Sequence, residues 1–298
     1  MSQECFTIKT ESTGVLAQLG ERYNGIVEVR GSTPLGSTTN VWLSPLNSLA
    51  KSFNSCSESY EISRPGYPSQ IVDFLKNNLN FSPSSKLLEL AAGTGKFTDL
   101  LVQHGFNPMV TEWLPNMLKV LKTKHPKLPA FIAKAEEIPF KNDIFDTVLA
   151  AQAFHWFSNY NALADIARVL KKDGYFVIIF QERNDAVDWV HEYHKIIFSY
   201  PHELVARFEL NAWKKAFENQ EYFSPLEHLK FDYSQHFLKE NLTHRALGMS
   251  FIAALPESQK QAVVEQMKEL CSVHDAIKDH DVIEFPYITH VYWARVLK

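Results

Sequence analysis

Continuous apolar runs punctuate this chain at residues 85–90, 108–111, 130–133 and 175–180, and a further run opens at Asp143. Runs of that length suit strands of a parallel sheet covered on both faces. Between them the apolar spacing changes to the helical period. Ile71, Phe74, Leu75 and Leu79 share one side of a stretch that Ser69 can cap, after Pro65 and Pro68 interrupt any earlier helix. A second helix follows from Phe97 to His104 and ends at Gly105. A third runs over 161–170, with Leu163, Ile166, Ala167 and Leu170 inward, and Lys171-Lys172-Asp173-Gly174 closes it. Two late strands, 229–237 and 282–297, flank a helix through 257–270. Strand and helix alternate through Phe180 and a hairpin-like pair closes the chain, which predicts an α/β fold with a seven-stranded, mostly parallel sheet and helices on both faces.

The stretch from Leu87 to Thr98 is the one around which the others are arranged: a buried strand, a turn of small residues and the start of a helix. Such a turn marks a ligand crevice beyond the carboxyl ends of the strands. A dinucleotide fingerprint needs glycines at relative positions one, three and six, and neither Ala91 nor Gly93 begins such a series. A phosphate-binding P-loop fails too, with Leu90 in place of its first Gly and Phe97 in place of its Ser or Thr. What remains is an acidic residue followed by small residues at alternate positions, Glu89-x-Ala91-x-Gly93-x-Gly95. Glu112 ends the second strand roughly 20 residues later, where a carboxylate can accept from two adjacent ribose hydroxyls.

These residues resemble motif I of the class I S-adenosylmethionine (SAM)-dependent methyltransferases, which usually have Gly where Ala91 stands. The resemblance covers residues 53–298 and extends to the "Y…RPxYP" segment at Tyr60, Arg64 and Tyr67, similar to the type-11 branch that includes trans-aconitate methyltransferase-like proteins. It implies a Rossmann-like fold whose last strand is antiparallel, with a helical cap inserted at about 184–224, an aromatic stretch containing Trp189, Tyr193 and Trp213. It implies SAM as cofactor, held by Glu89, Ala91, Gly93, Gly95 and Glu112, with Trp113 and Met117 against the adenine, or with Met117 in the helix core instead. Ala135 and Glu136 occupy a loop that reads the adenine amine in this family, although Glu136 also suits a solvated carboxylate. Gln152 inherits a place along the methionine part of the cofactor. On the substrate side stand Tyr60, Arg64, Tyr67, His155 and Trp156; the tyrosines either fold over the cofactor or pack on the sheet. His155 is the one catalytic candidate, either a base, which its unperturbed pKa suits, or a hydrogen-bonded wall residue.

Composition narrows the classes. The 298 residues, 45% apolar and 13% aromatic, supply a sizeable core, and a net charge of −4 gives no basic footprint for nucleic acid. Cys5, Cys56 and Cys271 form no CxxC pair, and His191-Glu192-Tyr193-His194 misses the zinc helix because Lys195 stands where the second His belongs. No metal is expected. No apolar run reaches ~18 residues, so a cytoplasmic protein without a membrane span is expected, monomeric or weakly dimeric, acting on a small molecule. The acceptor is a carboxylate, a hydroxyl or an amine. The other functions left open are a SAM-binding regulator without catalysis and, less in keeping with the spacing, a nicotinamide oxidoreductase. Residues 1–52 show no sustained period and resemble in part the translation of a transfer-RNA gene; they are read as outside the fold, either as a gene-model artefact or as a flexible tail.

Overall fold

A computed structural model of the chain describes residues 26–28, 64–200 and 211–298. Tyr60 and residues 201–210 of the expected cap lie outside the described residues. In chain order the strands are β1 (Ile26–Glu28), β2 (Leu87–Leu90), β3 (Met109–Glu112), β4 (Ala130–Ile132), β5 (Phe145–Ala151), β6 (Leu170–Arg183), β7 (Glu227–Leu238) and β8 (Val282–Arg295). The helices are α1 (Gln70–Asn78), α2 (Lys96–Gln103), α3 (Pro115–Lys124), α4 (Tyr160–Val169), α5 (Asp188–Phe198), α6 (Asn241–Leu247), α7 (Ser250–Ala253) and α8 (Glu257–Val273).

The strands form one sheet in the order β1-β4-β3-β2-β5-β6-β8-β7. Pairing is parallel from β1 through β6, while β8 runs antiparallel to both β6 and β7. The seven expected strands are all present. An eighth strand, β1, lies within 1–52, the rest of which is outside the described residues: Ile26 to Glu28 pair with Ala130 to Ile132, where the edge of β4 would otherwise leave backbone groups unpaired. Strand order reverses between β2 and β5, so the crevice belongs at their carboxyl ends.

All four residues of β2 are buried, which is why its pattern is continuous rather than alternating. One face of the sheet is covered by α1 and α2 through Ile71, Leu75, Phe97 and Leu101, packed on Leu149, Val177, Ile179 and Val291. The other is covered through Leu163, Ile166 and Ala167 of α4, packed on Val148, Phe176 and Ile178. Helix α2 stops as its sequence suggests. Gly105 takes φ +85, its N–H reaches the Val102 carbonyl, and the Phe106 N–H reaches that of Leu101. Ser69 stands at the start of α1 but its hydroxyl makes no capping bond, because its backbone is already helical; Asn159 does cap α4, its side chain accepting from the Ala162 N–H. After α4, Asp173 rather than Gly174 takes the positive φ of 65°. Gly174 is needed for space: a Cβ there would stand 2.9 Å from the Lys171 carbonyl oxygen.

The cap differs from the expected 184–224: Trp213 and Phe223 pack in the sheet core with Phe154 and Phe176 rather than in the cap, which instead draws on later helices. Trp189, Val190 and Tyr193 of α5 share a core with Leu242 and Ala246 of α6, Val263 and Met267 of α8, and Phe285 and Tyr287 of β8. Residues inserted after β6 and after β7 thus complete one another, which helical spacing within either insertion alone cannot show. Among the described residues no helix is long and apolar enough to cross a membrane.

Candidate active site

The turn after β2 is built from left-handed residues at alternate positions: Ala91 at φ 50°, Gly93 at 59° and Gly95 at 86°. The position where the resembled motif usually has Gly therefore needs Gly's conformation here as well, and Ala91 adopts it at a cost of about 1–2 kcal/mol. Three amides of the turn are engaged within the protein: Ala92 N–H donates to the Thr111 carbonyl, Gly95 N–H to that of Ala92, and Gly93 N–H to Glu112 Oε2 at 2.8 Å. They tie the turn to β3. A Cβ added to Gly93 would meet nothing within 4 Å, so space lies open there. Thr94 Oγ1, fully buried between the two glycines, has no hydrogen-bond partner.

Two buried carboxylates flank this turn. Glu89 accepts from Thr98 Oγ1 of α2 at 2.7 Å, and burial pushes its carboxyl from 4.5 up to about 8, the Thr98 bond opposing. The folded protein therefore holds this proton more tightly than the unfolded chain does. Its contribution to stability is complete below about pH 4.5 and is lost as the pH rises through about 8. Glu89→Gln is expected to flatten that part of the stability profile, read by urea unfolding at several pH values; parallel profiles for variant and wild type would show that Glu89 titrates as it does in water. Glu112, 6% exposed, is raised by burial too, but the Leu114 and Gly93 N–H groups counter the rise. Leu114 N–H donates to Oε1 and Gly93 N–H to Oε2, both at 2.8 Å. Each oxygen keeps a lone pair for a further donor.

Around these groups Trp113 is 41% exposed, with Lys134 Nζ 5.3 Å from the centre of its ring, whereas Met117 is buried on α3 and only 3% exposed. Its neighbour Leu121 on α3 presses against the turn, standing 2.9 Å from where a Cβ on Gly95 would be. Ala135 and Glu136 sit on the turn after β4; Glu136 is half-buried and accepts from Asn159 Nδ2 at 2.9 Å. Arg168 and Asp165 of α4 brace the same loop, through the Phe140 and Ile138 carbonyls and the Ile138 N–H. At the end of β5 Gln152 is also left-handed, at φ 53°; its N–H donates to the Ile179 carbonyl and its Nε2 to that of Gln181, both on β6. Ala91 and Gln152 thus place two strained residues at the carboxyl ends of neighbouring strands, where strain concentrates at functional sites. The open space over Gly93, the unpartnered Thr94 hydroxyl and the spare acceptor capacity of Glu112 fit a nucleoside-bearing cofactor.

The family model for the type-11 methyltransferase domain matches residues 88–178, which run from β2 into β6. An uncharacterised methyltransferase-like protein of Schizosaccharomyces pombe is 32% identical over 243 residues, covering 81% of this chain and 94% of its own. The chain belongs to the class I SAM-dependent methyltransferases. An uncharacterised methyltransferase of Mycobacterium tuberculosis is 28% identical over 241 residues, with the same coverage of both chains. Among solved structures, a proposed type II methyltransferase of Anaeromyxobacter dehalogenans shares the fold at TM-score 0.59 and 16% identity, covering 78% of this chain and 97% of its own.

On the far side of the crevice this methyltransferase places His155 and Trp156 on a 3-10 turn after β5, with the His155 ring 4.9 Å from Trp156 and 5.7 Å from Phe180. Burial, reinforced by the positive charge of Arg64, pulls the His155 imidazole down to about 4. This corrects the expectation of an unperturbed imidazole. The sequence could not show it, because Arg64 arrives from the segment before α1. Tyr67 packs edge-on against Phe97 at 5.2 Å, so it joins the core over the sheet. Thr94 and Thr98 were not singled out from the sequence, although both lie within the turn motif. Arg183, Tyr193, Arg245 and Tyr287 were missed because the β6–β8 pairing and the cap together bring them into one place.

Proposed function

We propose that this methyltransferase transfers the methyl group of SAM to a small-molecule acceptor held between the carboxyl ends of β5 and β6 and the helical cap. The observation that carries the reading is Glu112, fixed through both oxygens over the turn at the Gly93 and Leu114 amides with lone pairs to spare. In this reading Gly93, Thr94, Gly95 and Glu112 hold the nucleoside, Ala91 and Glu89 shape the turn, Trp113 and the Ala135–Glu136 turn border the adenine, and Gln152 lies along the methionine part. SAM supplies a methyl group on a sulfonium, whose displacement releases a neutral thioether that needs no acid. The protein's share is then orientation and exclusion of water, and well-oriented reactants account for about 7 kcal/mol or more. A carboxylate acceptor needs no base; a hydroxyl or an amine does.

His155 stays neutral above about pH 5 in this reading and serves as a wall. The rate kcat/KM is expected to show no inflection between about pH 6 and 7, the range of an ordinary histidine. His155→Ala should leave SAM affinity within roughly threefold and lower turnover by far less than the hundredfold typical of losing a general base. An inflection in that range that disappears in His155→Ala would restore histidine as the base. The function itself is tested by calorimetry with SAM and NADH, followed by transfer of labelled methyl to a metabolite extract. SAM binding with labelled product supports it, and binding of NADH alone would overturn it.

A further inference from the structure

Two arginines meet at the junction of cap and sheet, and among the described residues no carboxylate pairs with either of them. Arg183 ends β6, and its register partner on β8 is Tyr287. Arg245, only 9% exposed, projects from α6 and donates through Nη2 to the Tyr287 hydroxyl. The remaining partners are soft. Arg183 donates to Met249 Sδ at 3.5 Å and lies 5.6 Å from the centre of the Tyr193 ring, while Arg245 lies over the rings of Phe237 at 4.5 Å and Phe285 at 5.6 Å. Neither arginine forms an ion pair with a described residue, unlike Arg168 with Asp165 and Arg295 with Asp173. Glu182 is adjacent in sequence, but strand alternation turns it to the other face, where His290 Nε2 is 3.8 Å away. Burial lowers the Arg183 guanidinium, Tyr193 and Tyr287 oppose that, and the charges of Arg64 and Arg245 lower it further.

A guanidinium removed from water without a counter-ion is costly, and its planar fork of donors matches the two oxygens of a carboxylate or of a phosphate. The place also has a connection to the crevice. Gln181, two residues before Arg183 on the same face of β6, receives the Gln152 amide through its carbonyl and donates its own side chain to Thr289 Oγ1. Arg64 acts electrostatically on His155 and on Arg183 alike. A Cβ on Gly66 would come within 3.4 Å of the Tyr233 hydroxyl, so the segment before α1 reaches the same cluster. We infer that Arg183 and Arg245 form an oxyanion subsite that orients the acceptor, so that the substrate of this methyltransferase is a small organic acid or phosphate ester. The inference deepens the proposed function and rests on it.

The test is calorimetry on the full chain saturated with SAM, using succinate, citrate and inorganic phosphate as probes and succinamide as the uncharged control. At least one anion is expected to bind while succinamide does not, and the stronger of the carboxylate and phosphate probes tells which oxyanion the subsite takes. Arg183→Met should weaken that anion at least tenfold with SAM affinity within twofold. Arg183→Lys, which keeps the charge and loses the fork, should fall between and covers the case in which Arg183→Met fails to fold. Equal anion binding in wild type and Arg183→Lys, equal binding of succinamide, or no anion binding to a protein that binds SAM would overturn the subsite and leave the arginines as packing against aromatic rings. Failure to bind SAM at all would instead overturn the cofactor reading on which the subsite rests.

Discussion

Glu112→Ala is expected to weaken SAM binding by about 1.5 to 3 kcal/mol, the range for losing a charged hydrogen-bond partner, which is roughly ten- to 150-fold in affinity. The carboxylate does two jobs in this structure. In the proposed function it offers lone pairs to the cofactor, and it accepts the Gly93 and Leu114 N–H groups that join the turn after β2 to the start of the segment leading into α3. Truncation leaves both amides without their acceptor, so a loss of about 1–3 kcal/mol in unfolding free energy should accompany the loss of affinity. Glu112→Gln separates the two effects. Its single carbonyl oxygen can serve one of the two amides, and its NH2 group faces the other, so stability should fall between wild type and Glu112→Ala. Calorimetry with SAM and urea unfolding measure the two quantities. A folded Glu112→Ala protein with wild-type SAM affinity would remove Glu112 from the cofactor site.

Gly95→Ala should destabilise the fold by about 2–5 kcal/mol, more than any single change at an exposed position. Two costs add. The residue sits at φ 86°, in the left-handed region that costs a residue with a Cβ about 1–2 kcal/mol. The new Cβ would also stand 2.9 Å from Leu121 Cγ, a fully buried side chain of α3, and forcing a methyl group into a packed site costs about 1–3 kcal/mol. Since the same turn borders the proposed cofactor site, SAM affinity should fall as well. The double variant Gly95→Ala with Leu121→Ala divides the sum, because it removes the overlap and keeps the backbone strain, at the expense of a cavity. Wild-type unfolding midpoints in Gly95→Ala would mean that α3 does not press on the turn.

Much of this was legible along the chain, and the residues show why. The buried strand β2, the turn at Ala91, Gly93 and Gly95, and the acidic end of β3 are local patterns: apolar continuity, missing side chains, and a carboxylate one strand further on. The inward positions Ile71, Phe74, Leu75 and Leu79 are buried as the helical period requires. The seven strands follow from the same reasoning, since a strand covered on both faces is apolar throughout. What the sequence could indicate at Ala91 was a departure from a usual glycine; that the position is left-handed all the same, at φ 50°, is a property of the folded turn.

The rest depended on distances between residues that no local pattern relates. His155 has the composition of a proton shuttle, and only its burial beside Arg64 takes its imidazole down to about 4. Met117 alternates correctly for either an adenine wall or a helix core, and the sequence gives no sign of the burial it has on α3. The edge strand at Ile26–Glu28 lies in a segment without periodicity, and the open edge of β4 pairs with it. Arg245 and Tyr287, 42 residues apart, come together only because two separate insertions complete one cap core over β8. By itself the sequence determined the order of the seven main strands and the small-residue turn after β2, because periodicity and small residues act over a few neighbours. The tertiary structure alone decided the charge state of the site and the arginine cluster beside it, because desolvation and charge act through space.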